Sequence, residues 1–199
     1  MILTITNLNK QYANGVHALK DVSFSIERGM FGLLGPNGAG KSSLMRTLAT
    51  LQEADSGSVT LGDIDVLAEK DKVRKVLGYL PQEFGVYPRT SATDLLHHLA
   101  ILKGFDNKKE RTEMVDYLLQ KVNLFEHRKK AVSSYSGGMR QRFGIAQCLT
   151  GSPKLVIVDE PTAGLDPGER NRFYNILSEI GEQTIVILST HIVQDVREL

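Results

Sequence analysis

The chain has 199 residues, of which 41% are apolar and 24% charged, with 18 Gly, 6 Pro and one Cys. This suits one domain with a substantial core, and a single cysteine excludes an intramolecular disulfide and fits a reducing compartment. The net charge of +1, from 24 basic and 23 acidic side chains, gives no overall signal for nucleic acid, and apolar runs such as Leu155–Val158 are far too short to span a bilayer. The opening MILTITNLNKQY lacks the basic and apolar regions of a secretory signal, so a cytoplasmic protein is expected, with any membrane spans supplied by another chain.

In chain order, Ile2–Leu8 and Val16–Ile26 alternate at period two and predict a half-buried antiparallel ribbon. Met30–Leu34 is an apolar run that stops at a glycine cluster, and Ser42–Leu51 reads as a helix. Val59–Leu61 and Val76–Leu80 predict short strands. From about Ser91 to Thr150 the spacing turns helical, with Leu95, Leu96, Leu99 and Leu102 on one face and Met114, Tyr117, Leu118 and Val122 on another. Leu155–Val158 and Thr184–Leu188 return as β-rich runs, with a helix near Gly168–Ile180 between them. Strands alternating with helices predict an α/β fold with a largely parallel sheet, into which the helical block is inserted.

Gly35-Pro36-Asn37-Gly38-Ala39-Gly40-Lys41-Ser42 fits G-x-x-x-x-G-K-[ST] between a predicted strand and a predicted helix. Its glycines let backbone N–H groups converge on a phosphate with no Cβ in the way. Lys41 is expected at the β/γ-phosphates, the Ser42 hydroxyl on Mg²⁺, and Ser43 beside them at the positive end of the helix. A GTPase would need an N-K-x-D stretch to read guanine. Asn9-Lys10-Gln11-Tyr12 and Asn107-Lys108-Lys109-Glu110 do not fit it.

Leu155-Val156-Ile157-Val158-Asp159-Glu160 is a buried-strand run ending in two carboxylates. Ligands of parallel sheets bind beyond the carboxyl ends of the strands. There Asp159 can hold Mg²⁺, directly or through water, and Glu160 can take a proton from an attacking water. Two acids at a strand end can also simply be solvated, but the phosphate loop in the same chain favours chemistry.

Upstream of these acids, Tyr135-Ser136-Gly137-Gly138-Met139 opens another predicted helix, and Gly164-Leu165-Asp166 follows Asp159-Glu160-Pro161-Thr162. In these motifs the sequence resembles the ATP-binding cassette family, over essentially its whole length. The resemblance implies that Ser136, Gly137 and Gly138 form the signature motif and that Asp166 belongs to the D-loop. It also implies that Gln82 is the Q-loop glutamine, sensing Mg²⁺ and water, that His191 is the switch histidine at the γ-phosphate, and that Tyr12 stacks on adenine. Gln82 could otherwise be a plain loop residue, His191 the start of a last helix, and Tyr12 a packing residue of the ribbon. Ser136 can cap its own helix and leave a positive end exposed. In the family that end faces the γ-phosphate held by a partner subunit, so two chains sandwich two ATP molecules in an ATP-dependent dimer.

Tyr135 and Met139 depart from the usual Leu and Gln, and a similar form occurs in branches serving export-type permeases. The expectation is one cassette over 1–199, with a P-loop NTPase core at 1–87 and 151–199, an N-terminal antiparallel ribbon, and a helical subdomain at 88–150. Family members normally continue past the switch histidine, so the chain reads as truncated at its C-terminus. The implied function is that of a Mg²⁺-dependent ATPase subunit, peripheral on the inner face of the membrane. It would drive transport, export rather than import, through a separate permease, as a homodimer or with a related subunit, and without nucleic acid. The alternative is a non-transport ATPase of the same family acting on ribosomes or chromosomes. Phe84, Val86 and Tyr87 are expected to dock on the permease. His97-His98 has no metal-ligand spacing, and Cys148 is expected to be buried and inert.

Overall fold

The computed structural model describes residues 1–82, 85, 88–161 and 165–190. Strands β1 (Leu3–Gln11) and β2 (His17–Ile26) form the expected antiparallel ribbon, and β4 (Ser56–Leu61) and β5 (Ile64–Asp65) widen it to a four-stranded sheet of order β2-β1-β4-β5. The inward residues of β1 are Leu3, Ile5 and Leu8 rather than an unbroken alternation. A bulge at Asn7 (φ 46°) inserts one residue and shifts the register between Ile5 and Leu8, which returns Leu8 to the buried face.

The second sheet is parallel, with order β3-β8-β7-β6: β3 is Gly29–Leu34, β6 Leu77–Leu80, β7 Leu155–Asp159 and β8 Ile185–Thr190. The strand expected from Val76 begins one residue later, because Val76 is the last residue of helix α2 (Lys70–Val76). Only Val73 of α2 is buried, so the helix leaves almost no apolar period in the sequence.

Both faces of the parallel sheet are covered, as its near-continuous apolar strands require. Leu155, Ile157, Ile185 and Ile187 pack with α1 (Lys41–Leu48) and the antiparallel sheet. Val156, Val158, Val186 and Leu188 face α3 (Ala92–Leu102), α4 (Lys108–Lys121), α5 (Gly137–Leu149) and α6 (Pro167–Gly181). Residues one apart in the same strands thus serve two different cores. Helix α5 lies so close to β6 that a Cβ on Gly78 would fall 2.2 Å from the Cys148 carbonyl oxygen. Cys148 is buried there, and desolvation pushes its thiol up to about 12, which keeps it protonated and unreactive. Lys103 after α3 donates to the carbonyls of Arg74, at 2.7 Å, and Leu77, tying the helical block to the end of α2. Among the described residues no helix is long and apolar enough to cross a membrane.

Candidate nucleotide site

Parallel pairing brings the distant motifs to one edge. Leu34 pairs with Thr190 and Asp159 with Ser189, so the chain leaves β3, β8 and β7 at the same end of the sheet, where β6 leads to Gln82. A cleft of about 370 Å³ opens there. Tyr12, Asn37, Gly38, Ala39, Gly40, Lys41, Ser42, Ser43, Gln82 and Glu160 all line it, with Val16 and Ala18.

The phosphate loop is shaped by its glycines. Gly40 has φ 89°, and a Cβ there would meet the Ala18 carbonyl oxygen at 2.2 Å, so both conformation and space demand glycine. Gly40 is also the N-cap of α1 and provides no side-chain cap, and the first turn of α1 carries no acid. The leading N–H groups of α1 therefore keep their positive end for an anion in the cleft. Lys41 Nζ lies over the loop, donating to the carbonyls of Gly35 at 2.5 Å and Pro36 at 3.0 Å. Gly35 and Pro36 hold the base of the loop rather than the wall of the cleft.

The acid pair is divided by a sharp turn. Asp159 is 7% exposed, and its Oδ1 accepts from Ser189 Oγ at 2.6 Å. Glu160 has φ 43°, unusual for a residue with a Cβ. Its N–H donates to the same Ser189 oxygen at 3.0 Å, and its Oε2 accepts from Gln82 Nε2 at 3.0 Å. Burial, and secondarily the negative charge of Asp159, raise the phenol of Tyr79 on the neighbouring strand. Ser189 thus fixes both acids, and it is a site residue that the sequence reading missed. Its only sequence signal is its place two residues before His191.

Ser42, Gln82, Asp159 and Glu160 supply only hydroxyl, amide and carboxylate oxygens, the hard donors that suit Mg²⁺. Among the described residues no group of three or more His, Cys, Asp or Glu could hold a metal ion without other ligands.

Ser136, Gly137, Gly138 and Asp166 are not brought to this cleft. Ser136 caps α5, its side chain accepting from Met139 N–H at 3.2 Å, and the first turn of α5 also carries no acid. Asp166 caps α6 by accepting from Glu169 N–H at 3.0 Å. Glu169 lies against Gly138 and makes an ion contact with Arg142 of α5 at 3.2 Å, joining the two motifs within one chain. Tyr135 is 3% exposed, donates to the His127 carbonyl at 2.9 Å and meets Phe143 edge-on. Its departure from leucine is therefore a matter of core packing. His191, Phe84, Val86 and Tyr87 lie outside the described residues, as do Thr162 and Gly164 of the loop after Glu160.

The sequence profile of the ABC transporter family matches residues 19–163. The chain is 37% identical over 199 residues to the uncharacterized ABC transporter ATP-binding protein YxlF of Bacillus subtilis, and it spans 65% of that protein's length. It is 35% identical to the linearmycin resistance ATP-binding protein LnrL of the same organism, of which it spans 64%. Among solved structures, a dimeric ATP-binding cassette in a post-hydrolysis state, bound to ADP and Pi, superposes with a TM-score of 0.87 at 25% identity, covering 98% of this chain and 90% of that one. The chain belongs to the ABC transporter family and has the fold of its ATP-binding cassette.

Proposed function

We propose that this chain binds Mg·ATP in the cleft and hydrolyses it as a head-to-tail dimer that drives a separate membrane permease. One observation carries the reading. Among the described α-helices, α2, α3, α4 and α6 each have an acid in the first turn, whereas α1 and α5 have none. Two helix ends thus carry no acid of their own in the first turn, one inside the cleft and the other outside it, where Glu169 of α6 lies beside Gly138. A second copy that turns its α5 end toward this chain's phosphate loop would complete the site, and symmetry would make two such sites.

Within the cleft, Tyr12 takes the base, and Gly38–Ser43 with Lys41 take the phosphates. Gln82 holds the Glu160 carboxylate, which accepts a proton from the attacking water, and His191 contacts the γ-phosphate. Ser42, Gln82 and Asp159 hold Mg²⁺, which neutralises phosphate charge when bound. Ser136, Gly137, Gly138 and Asp166 act across the dimer. The dimer forms with a second copy or with a related subunit, docked by Phe84, Val86 and Tyr87 on a permease at the inner face of the membrane. Export is the direction favoured by the Tyr135 and Met139 form of the signature.

The test is Glu160→Gln, which keeps the size of the side chain but cannot accept the proton. ATP binding should survive, turnover should fall at least about a hundredfold, and an ATP-bound dimer should accumulate on gel filtration. Hydrolysis at the parent rate would remove Glu160 from the role of base.

A further inference from the structure

Stacking on a base needs only the ring of Tyr12, yet its hydroxyl is engaged on both sides. It donates to Gln52 Oε1 at 2.8 Å and lies 2.9 Å from Ser43 Oγ. With the phenolic proton committed to Gln52, the Ser43 hydroxyl is the donor in the second contact. The circuit closes through α1: Gln52 Nε2 donates to Thr47 Oγ1 at 3.5 Å, and Thr47 Oγ1 donates to the Ser43 carbonyl at 2.9 Å. Tyr12 is 37% exposed and Thr47 only 1%. The circuit therefore ties an exposed ring in the turn after β1 to a buried side chain on the helix that begins at the phosphate loop.

We infer that Gln52 is a positioning residue for the nucleotide base, holding the Tyr12 ring at a set place relative to the phosphate loop. The inference rests on the base-stacking role proposed for Tyr12. Tyr12 stands in a short turn, closed by its own N–H to the Val16 carbonyl at 2.9 Å and by Gly15 N–H to its carbonyl at 2.8 Å. The backbone is fixed there, but an exposed aromatic side chain left untethered would exchange rotamers and have to be ordered when the base arrives. Gln52 and Ser43 order it beforehand. Because Ser43 follows Ser42 directly on α1, the base platform and the phosphate groups then form one rigid unit. Gln52 also follows the end of α1, so the competing role is to hold that helix end in place. That role would affect base and phosphate binding alike.

The two roles separate with a ligand that has no base. Affinities of the full chain for ATP and for inorganic tripolyphosphate are measured by calorimetry, with melting temperatures alongside. Gln52→Leu and Tyr12→Phe should each weaken ATP about three- to tenfold, the loss expected from one or two neutral hydrogen bonds, and leave tripolyphosphate unchanged. The double variant should be no weaker than Tyr12→Phe alone. Gln52→Glu keeps the oxygen that accepts from Tyr12 but loses the Nε2 donor to Thr47 and adds a charge. Its ratio of ATP to tripolyphosphate affinity should therefore lie between those of Gln52→Leu and the parent. Equal weakening of ATP and tripolyphosphate, or parent ATP affinity in Gln52→Leu, would overturn the inference. If Gln52→Leu does not fold, Tyr12→Phe still decides it, because parent ATP affinity in Tyr12→Phe would overturn it equally. Tyr12→Ala tests the underlying reading: if it binds ATP as the parent does, the base does not stack on Tyr12, whereas weaker binding with Gln52→Leu unaffected overturns only the role of Gln52.

Discussion

Helices α1 and α5 both begin without an acid in the first turn, but their ends are built differently. At α1 the N-cap is Gly40, in a left-handed conformation and with no side chain to occupy the leading N–H groups, while Lys41, Gln82 and Glu160 line the space in front of it. At α5 the N-cap is Ser136, whose side chain already accepts from Met139, and Ser136 and Gly137 are exposed and do not line the nucleotide cleft. One end opens into a cleft built by its own chain. The other is already capped by its own serine, with the Glu169 carboxylate of α6 beside Gly138 in its first turn. A nucleotide held on the first end of one copy is an anion that the second end of another copy could meet.

The comparison breaks most sharply at Lys41. Its amine sits on the Gly35 and Pro36 carbonyls, and Lys41 lines the cleft. Lys41→Ala should lower ATP affinity at least about a hundredfold, as expected for the loss of two charge-assisted hydrogen bonds. Calorimetry showing parent affinity would sink the assignment. Gly40→Ala comes next and acts on the fold itself. The Cβ would lie 2.2 Å from the Ala18 carbonyl oxygen at φ 89°, so left-handed strain and overpacking together should cost roughly 2–5 kcal/mol. Chemical denaturation reads this directly, and a variant as stable as the parent would mean the loop can adopt another path.

At the other helix the effects should be smaller and fall elsewhere. Ser136→Ala removes an N-cap and should lower the stability of the monomer by about 1 kcal/mol. Its loss of monomer ATP affinity should be far below that of Lys41→Ala, while ATP-driven dimerisation weakens. Sedimentation with and without ATP separates these outcomes. A loss of monomer affinity as large as that of Lys41→Ala would place the α5 end in the cleft of its own chain.

What could be read from the sequence follows the same division between local and distant. The phosphate loop, the acid pair and the cap at Ser136 are contiguous, so a few residues carry their own geometry. The register that sets Leu34 beside Thr190 and Asp159 beside Ser189 joins residues far apart in the chain. Ser189, which fixes both acids, was therefore invisible until β7 and β8 were paired. Gln52 escaped for the same reason, since its link to Tyr12 spans the whole phosphate loop. The bulge at Asn7 and helix α2 were missed because neither leaves an apolar period, one breaking an alternation and the other burying only Val73. The order of the motifs along the chain could be read, but not the atoms that hold them together.

The smallest effect tests whether glycine is needed for the same reason at both helix ends. At Gly40 the obstacle is backbone, which cannot move aside. At Gly138 a Cβ would meet Glu169 Oε2 at 3.0 Å and its Cγ at 3.2 Å, the far end of a flexible side chain. Gly138 has no positive φ, so alanine there gains about 0.5–1 kcal/mol of helix propensity. Against this stands the displacement of Glu169 from Arg142, an ion contact of 3.2 Å between side chains 22% and 13% exposed. The contact also holds α6 to α5, so losing it should cost a similar amount. Gly138→Ala should therefore leave the monomer within about 1 kcal/mol of the parent. In a Glu169→Ala background the obstacle is gone and only the propensity gain remains, so the same substitution should be stabilising. If Gly138→Ala destabilises the monomer as strongly as Gly40→Ala and Glu169→Ala brings no relief, the second glycine is required by its backbone, and the two helix ends are more alike than their caps indicate.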